Sequence, residues 1–207
     1  MTPSVDVRRA GDRFVTRTDW LESWHSFSYG RHYDPANTSF GSLHAHNDDV
    51  LAPGGGFAMH RHRDVEIVTW VLEGVLRHED SMGHRETLRP GMVQVLTAGS
   101  GVEHSERNAS TDDPVRCLQM WLSPVELGSP PCYERRDLSS ALARDGLVEV
   151  AHVNRGSDTL YAARLSDGER LSVPAASYVH LFVARGSVEL DGAHDARVGV
   201  GGSRRQR

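Results

Sequence analysis

The sequence predicts an all-β fold, a sandwich or barrel of short strands with little helix. Three observations carry this. Twenty glycines and nine prolines break the chain at short intervals, and "DPANTSFG", "APGGG", "LEG", "SMGH", "RPG", "AGSG", "SDG" and "LDG" all read as turns. The runs between them are short and rich in β-branched and aromatic residues. Helix-type periodicity is scarce.

Taken in chain order, "TDWLESWHSF" is expected to form a turn or two of helix, with Thr18 or Asp19 as its cap. "FAMHRHR" reads as extended and leads into "EIVTWVL", a buried strand. "MVQVLTA" and "RCLQMWL" are strands of the same kind, as are "SYVHLFVA" and "SVEL" further on. Trp70, Met120, Trp121 and Phe57 are assigned to the core, and alternation turns some of them toward the interior of the strand layer. Cys117 reads as a small buried hydrophobe. "LSSALARDG" is the best helix candidate, with Asp137 as N-cap and Gly146 as the stop. "SPVELGSPPCYERR", residues 123–136, holds three prolines and little periodicity, as a linker or crossing segment would. It divides a β-rich unit at 1–122, which holds the candidate ligands, from a second β-rich unit at 137–207, which has no paired ligand set. "WVLEGVLRHED" and "FVARGSVELDG" share a strand, Gly turn, strand pattern, a weak sign of duplication.

Composition excludes several functions. A net charge of −5 argues against a broad basic surface for nucleic acid, and the final "RRQR" reads as a solvated tail. No apolar run reaches the roughly 18 residues of a membrane span. The N-terminus lacks the apolar core of a signal peptide. Two cysteines make no disulfide framework, and a reducing cytoplasm is the expected compartment.

Twelve histidines in the chain would place roughly one His-x-His pair by chance. There are two, His44/His46 and His60/His62. Residues i and i+2 of a strand share a side, so His60 and His62 present both imidazoles to one face, with Arg61 on the other. "TAGSGVEHSERN" puts His104 and Glu106 in the same relation. Two such pairs on neighbouring strands gather three imidazoles and a carboxylate, a set that suits a divalent transition metal. Glycine turns, "PGGGF" and "AGSG", precede each pair and allow close backbone approach. His44 and His46 precede "NDD", and the resemblance given below implies no ligand role for that stretch. His78 and His84 flank a hairpin turn and read as solvated. His152 and His180 are expected to be structural.

The segment Gly54–Asn108 resembles the cupin superfamily and, within it, the pirin family. The first cupin motif falls on Gly54, His60, His62, Glu66 and Gly74, the second on Gly101, His104 and Asn108. "WLESWHSFSYGRHYDP", "NDDVLAPGGGF", "HRHRDVEIVTWVLEGVLRHEDSMG", "RPGMVQVLTAGSGVEHSERN" and "LQMWLSP" all resemble bacterial pirin-like proteins. The resemblance implies a bicupin of two jelly-roll β-barrels, the N-terminal one (1–122) metal-binding and the C-terminal one (137–207) metal-free. It implies His60, His62, His104 and Glu106 as metal ligands, with Glu66 in a supporting place. Arg61 stands where the family usually has proline. The final stretch, "AHDARVGVGGSRRQR", shows no apolar alternation, so the second barrel is expected to fall short of its last strands.

The resemblance also implies an activity. Some pirin-like proteins are quercetin 2,3-dioxygenases, oxidoreductases that open a flavonol with O₂. The expected cofactor is then one divalent metal, Fe first, with Ni, Co, Cu, Mn or Zn as alternatives. Glu106 becomes the catalytic base for a small aromatic substrate. The alternative is a non-enzymatic, metal- or redox-dependent regulator that binds a protein partner.

Overall fold

The computed structural model describes residues 5–144, 146–190 and 196–200, the last segment through its backbone only. The expected "RRQR" tail lies outside the described residues. The first half forms strands β1 (Val5–Arg8), β2 (Phe14–Arg17), β3 (Leu21–His25), β4 (Leu43–Leu51), β5 (Gly56–His62), β6 (Glu66–Glu73), β7 (Leu76–Asp80) and β8 (Arg85–Leu88). There follow β9 (Met92–Thr97), β10 (Val102–Asn108), β11 (Val115–Leu122) and β12 (Cys132–Asp137). The rest forms β13 (Val148–Val153), β14 (Asp158–Ala162), β15 (Val179–Val183) and β16 (Ala196–Val200).

Two antiparallel sheets face each other. One has seven strands in the order β12-β9-β6-β11-β4-β3-β2, the other four, β5-β10-β7-β8. The all-β class expected from the sequence is what forms, as facing open sheets rather than one hydrogen-bonded cylinder. Beyond them lie the hairpin β13-β14 and a three-stranded sheet, β1-β16-β15, whose pairings are parallel. The stretch that lacks alternation thus still contributes a strand, set between the first strand and β15.

The inner face of the large sheet has a layered plan. On β9, Met92, Gln94 and Leu96 share a face; on β6, Ile67, Thr69 and Val71; on β11, Cys117, Gln119 and Trp121. Leu51, Val71, Leu76, Leu88, Met92, Val115 and Cys117 form an apolar cluster at one end. Val65, Ile67, Leu96, Ala98 and Val102 form another, with Trp121 against it. Between the two runs a polar row. Gln94 pairs with Thr69, Thr69 with Gln119, Gln119 with Asn47 and Asn47 with His25, in direct register across five strands. The outer face of the same sheet carries Val68, Trp70, Val93, Leu118 and Met120, which pack with Leu138, Leu142, Val150, Ala151 and Val153 from the second half. The sheet is therefore buried on both faces, which accounts for its near-continuous apolar strands.

Several expectations need correction. "TDWLESWHSF" is not helical: Leu21–His25 is β3, paired on both sides. Thr18 does cap, but a turn, with its hydroxyl accepting from the Leu21 amide at 3.1 Å. The described part of "LSSALARDG" forms turns rather than a helix, closed by Leu142 N–H to the Leu138 carbonyl at 2.9 Å and Arg144 N–H to the Ala141 carbonyl at 3.2 Å. Two apolar anchors, Leu138 and Leu142, hold it to the sheet, and that packing does not require further turns. Asp137 still caps, accepting from the Ser139 amide at 3.0 Å. "SVEL" is irregular, so the suspected duplication yields a strand pair only in the first half. His78 is not solvated: it is fully buried.

Candidate metal centre

The candidate ligands come from the smaller sheet. His104 on β10 lies directly opposite His60 on β5, and Glu106 lies opposite Phe57. Three steps on β5 therefore face two on β10. This is a β-bulge, and it re-aims side chains beside the site. Gly56 makes the approach feasible. Its φ is +152°, and a Cβ there would collide with the Glu106 carbonyl and the Arg107 Cα. Arg61 turns away as expected, its guanidinium lying over Gly101.

His60, His62 and His104 bring one ring nitrogen each to within 4.8 Å of one another. His60 and His62 reach the surface, while His104 is buried. The Nδ1 of His60 lies 2.7 Å from the Ala58 carbonyl, so Nδ1–H donates there and Nε2 keeps its lone pair. That Nε2 is 2.9 Å from the Nε2 of His62. Two nitrogens of neighbouring metal ligands lie about 3 Å apart when each is about 2.1 Å from the ion. Burial, joined by the adjacent imidazoles, pushes His62 down to about 4 and His104 down to about 3. Both therefore offer lone pairs at neutral pH. The donor set fits a divalent transition metal.

Glu106 is fully buried beneath these rings. Its Oε1 accepts from Thr69 at 2.9 Å and Gln94 at 2.7 Å, and its Oε2 from Gln119 at 2.5 Å. Burial raises its pKa, opposed by His78 and by the Thr69 and Gln119 hydrogen bonds. Three residues of the polar row thus hold the carboxylate. Gln94 in turn accepts from Tyr133 at 2.9 Å, and Gln119 from the Trp121 indole at 2.9 Å. Glu106 belongs to a second group of close donors, with His78 and His104.

Glu66 faces the other way. Its Oε2 accepts from Thr97 at 2.7 Å on the outer face of the large sheet, three residues out of step with Thr69 and hence on the opposite side. Its role is structural. His44 and His46 join neither donor group; His46 is buried, with its Nδ1 2.9 Å from the Nε2 of His180. His152 pairs with Glu149 at 2.8 Å. Trp70, Met120 and Cys117 are buried as expected. Trp121 is not merely core: its ring meets His62 edge-on at 5.0 Å, with Tyr29 at 5.5 Å and His44 at 6.4 Å. Sequence reasoning missed Thr69, Gln94, Gln119, Tyr133 and His78. A signal existed: each apolar run, "EIVTWVL", "MVQVLTA" and "RCLQMWL", carries a polar residue near its middle.

Among the described residues no helix is long and apolar enough to cross a membrane. The family model described as Pirin matches residues 7–122. A Mycobacterium tuberculosis H37Rv protein provisionally named quercetin 2,3-dioxygenase is 46% identical over 202 residues, covering 93% of this chain and 83% of its own length. The quercetin 2,3-dioxygenase of Escherichia coli K12 is 36% identical over 198 residues, covering 91% of this chain and 84% of its own. The crystal structure of the E. coli bacterial pirin YhhW in complex with nickel(II) superposes with a TM-score of 0.65 and 41% identity, over 69% of this chain and 60% of that one. This chain thus spans less than two thirds of that structure's length. With a family match over more than half of its residues and relatives well above 30% identity along nearly all of it, the chain belongs to the pirin family.

Proposed function

We propose that this protein is a metal-dependent dioxygenase acting on a flavonol such as quercetin, with His60, His62, His104 and Glu106 as metal ligands. The observation that carries the reading is the convergence of three imidazoles, two of them reaching the surface, over one buried carboxylate. The names of the relatives support the substrate class. A bound transition metal supplies Lewis acidity and redox access to O₂. The chain's own groups do the rest. Trp121, with Tyr29 and His44 at its edges, offers an aromatic wall beside His62 on which a fused ring system packs. Glu106 takes the proton of the flavonol 3-hydroxyl onto a carboxylate oxygen, and its raised pKa makes it a better base. Overall, one flavonol and one O₂ give the ring-opened ester and carbon monoxide. Iron is the first metal to test, and the nickel complex of YhhW puts nickel beside it. Both cysteines are free thiols, in keeping with a reducing cytoplasmic setting.

The experiment loads metal-free protein with Fe, Ni, Co, Cu, Mn or Zn and follows flavonol absorbance, O₂ uptake and carbon monoxide release. Turnover with at least one metal, lost in Glu106→Gln, is the expected result. Turnover no greater than the Glu106→Gln control with every metal would leave the alternative, a metal-dependent regulator that binds a protein partner.

A further inference from the structure

The polar row ends on β3 at His25, and from there hydrogen bonds continue to Thr16 and His32 with a single direction. Asn47 Oδ1 lies 2.9 Å from His25 Nδ1, so that nitrogen carries the hydrogen. His25 Nε2 is then an acceptor, 2.9 Å from the Thr16 hydroxyl. The Thr16 oxygen, its hydrogen given to His25, accepts from His32 Nε2 at 3.2 Å. Burial lowers the His25 pKa and keeps the ring neutral, as this order requires. At the other end the Asn47 oxygen is already taken, and the amide nitrogen donates to the Tyr29 hydroxyl. The phenol oxygen therefore accepts, and its own hydrogen is left over. Among the described residues none accepts it. Burial, with Asp49 adding and the Asn47 bond opposing, pushes the phenol up to about 12, so it stays protonated near neutral pH. Its place is fixed as well. Tyr29 and His32 exchange two backbone bonds of 3.0 Å around a tip where Gly30 has a φ of +56°. The phenol ring stacks on His25 at 4.8 Å and meets the Trp121 indole edge-on at 5.5 Å. Trp121 in turn touches His62, so Tyr29 stands along the same wall as the candidate ligands. His44, also at that wall, turns its Nδ1 to Ser123 instead, 3.4 Å away.

A donor that is fixed in place and unspent beside an aromatic wall is a recognition group. It discriminates because a ligand without a matching acceptor leaves it unpaired. We propose that Tyr29 is a specificity-determining residue that donates to an outer-ring oxygen of the bound flavonol, so that the site selects polyhydroxylated flavonols over bare ones. This rests on the reading of Trp121 as the wall on which a flavonol packs. The 3-hydroxyl belongs to the metal side of the substrate, and Tyr29 reads the hydroxyls of the rings beyond it. Asn47, His25, Thr16 and His32 are positioning residues. Their shared direction keeps Asn47 from turning its oxygen to the phenol and consuming the hydrogen.

The test uses the full chain loaded with nickel, freed of excess metal and kept without O₂, and reads binding by quenching of tryptophan fluorescence. The ligands are quercetin, with hydroxyls on both outer rings, and 3-hydroxyflavone, with none. Wild type is expected to bind quercetin more tightly. Tyr29→Phe, with nickel content and circular dichroism matching wild type, is expected to weaken quercetin about three- to tenfold and 3-hydroxyflavone by less than about twofold. Equal weakening of both ligands, or unchanged quercetin binding, overturns the proposal. If Tyr29→Phe fails to fold, a crystal of wild type with quercetin decides: a Tyr29 hydroxyl within hydrogen-bond distance of an outer-ring oxygen supports the proposal, and one elsewhere refutes it. Admission of O₂ separates this inference from the enzymatic reading. The expected binding pattern without turnover removes the dioxygenase and leaves Tyr29 its role, whereas turnover with no difference between the two proteins removes only that role. Wild type that binds neither flavonol overturns both.

Discussion

Replacing Gln94 with leucine tests whether the polar row holds Glu106. Gln94 is fully buried and makes two bonds, donating to Glu106 at 2.7 Å and accepting from Tyr133 at 2.9 Å. Loss of the bond to a carboxylate costs about 1.5–3 kcal/mol, and loss of the neutral one about 0.5–1.5 kcal/mol. Tyr133 is only partly buried and can turn to water, so the lower figure applies to it. Gln94→Leu is therefore expected to destabilise by about 2–3.5 kcal/mol. The assay is urea unfolding of metal-free protein at pH 8, with an unchanged slope as the sign that only stability moved. A double-mutant cycle with Glu106→Leu isolates the pair. If the cost comes from stranding the carboxylate, Gln94→Leu does much less harm once Glu106 is gone, and the coupling is about 1.5–3 kcal/mol. Additivity within ~0.5 kcal/mol would refute the reasoning, because the row would then be ordinary polar packing.

Other outcomes follow from the same structure. Gly56→Ala, at φ +152° against the Glu106 backbone, is expected to push β5 away from β10, destabilise by about 1–3 kcal/mol and weaken cobalt binding; unaltered cobalt affinity would contradict the close approach. Arg116 donates to both Asp48 oxygens at 2.8 and 2.9 Å and to the Ala184 carbonyl at 3.1 Å, so Arg116→Met leaves Asp48 with Arg13 alone, 3.5 Å away, at a cost of about 1.5–3 kcal/mol in urea unfolding. Burial pushes Asp49 up to about 7, against a Ser23 hydrogen bond and with Asp48 and Glu106 adding to the rise. Its unfolded value is about 3.9, so between pH 4 and 7 the native state holds a proton the unfolded chain lacks, and this contribution falls as pH rises, by up to about 1.4 kcal/mol per unit. Asp49→Asn is expected to flatten that fall, measured by unfolding at pH 5 and pH 8; an unchanged difference between the two pH values would sink the assignment. Nickel at a hundred times its dissociation constant is expected to stabilise wild type by about 2.7 kcal/mol in thermal unfolding and to do nothing for His60→Ala/His104→Ala.

The strands and the two candidate pairs were legible because they are local. Alternation placed His60 with His62 and His104 with Glu106, and glycine marked where backbones approach. The β-bulge on β5 was not legible, since an extra residue in a pairing leaves no trace in one strand alone. Nor was His78. It sits beside a hairpin turn, where polar residues are usually wet, and only the opposite strand and Tyr133 bury it. "TDWLESWHSF" misled because its apolar spacing also suits a strand whose two faces are both covered. "LSSALARDG" carries helical signals that its two anchors, Leu138 and Leu142, satisfy within a single turn.

The polar row has a consequence for how the chain finds its pairing. A strand that slips by one residue turns its apolar set outward and is rejected at once. A slip by two keeps the correct face and is harder to exclude, because Met92 and Leu96, or Ile67 and Val71, are nearly interchangeable as hydrophobes. Here such a slip would carry Gln94, Thr69 or Gln119 into an apolar cluster and set a hydrocarbon against the Glu106 carboxylate. The residues that hold the carboxylate therefore also distinguish the native alignment of the sheet from its nearest competitor, and the site is complete only when five strands agree on one register.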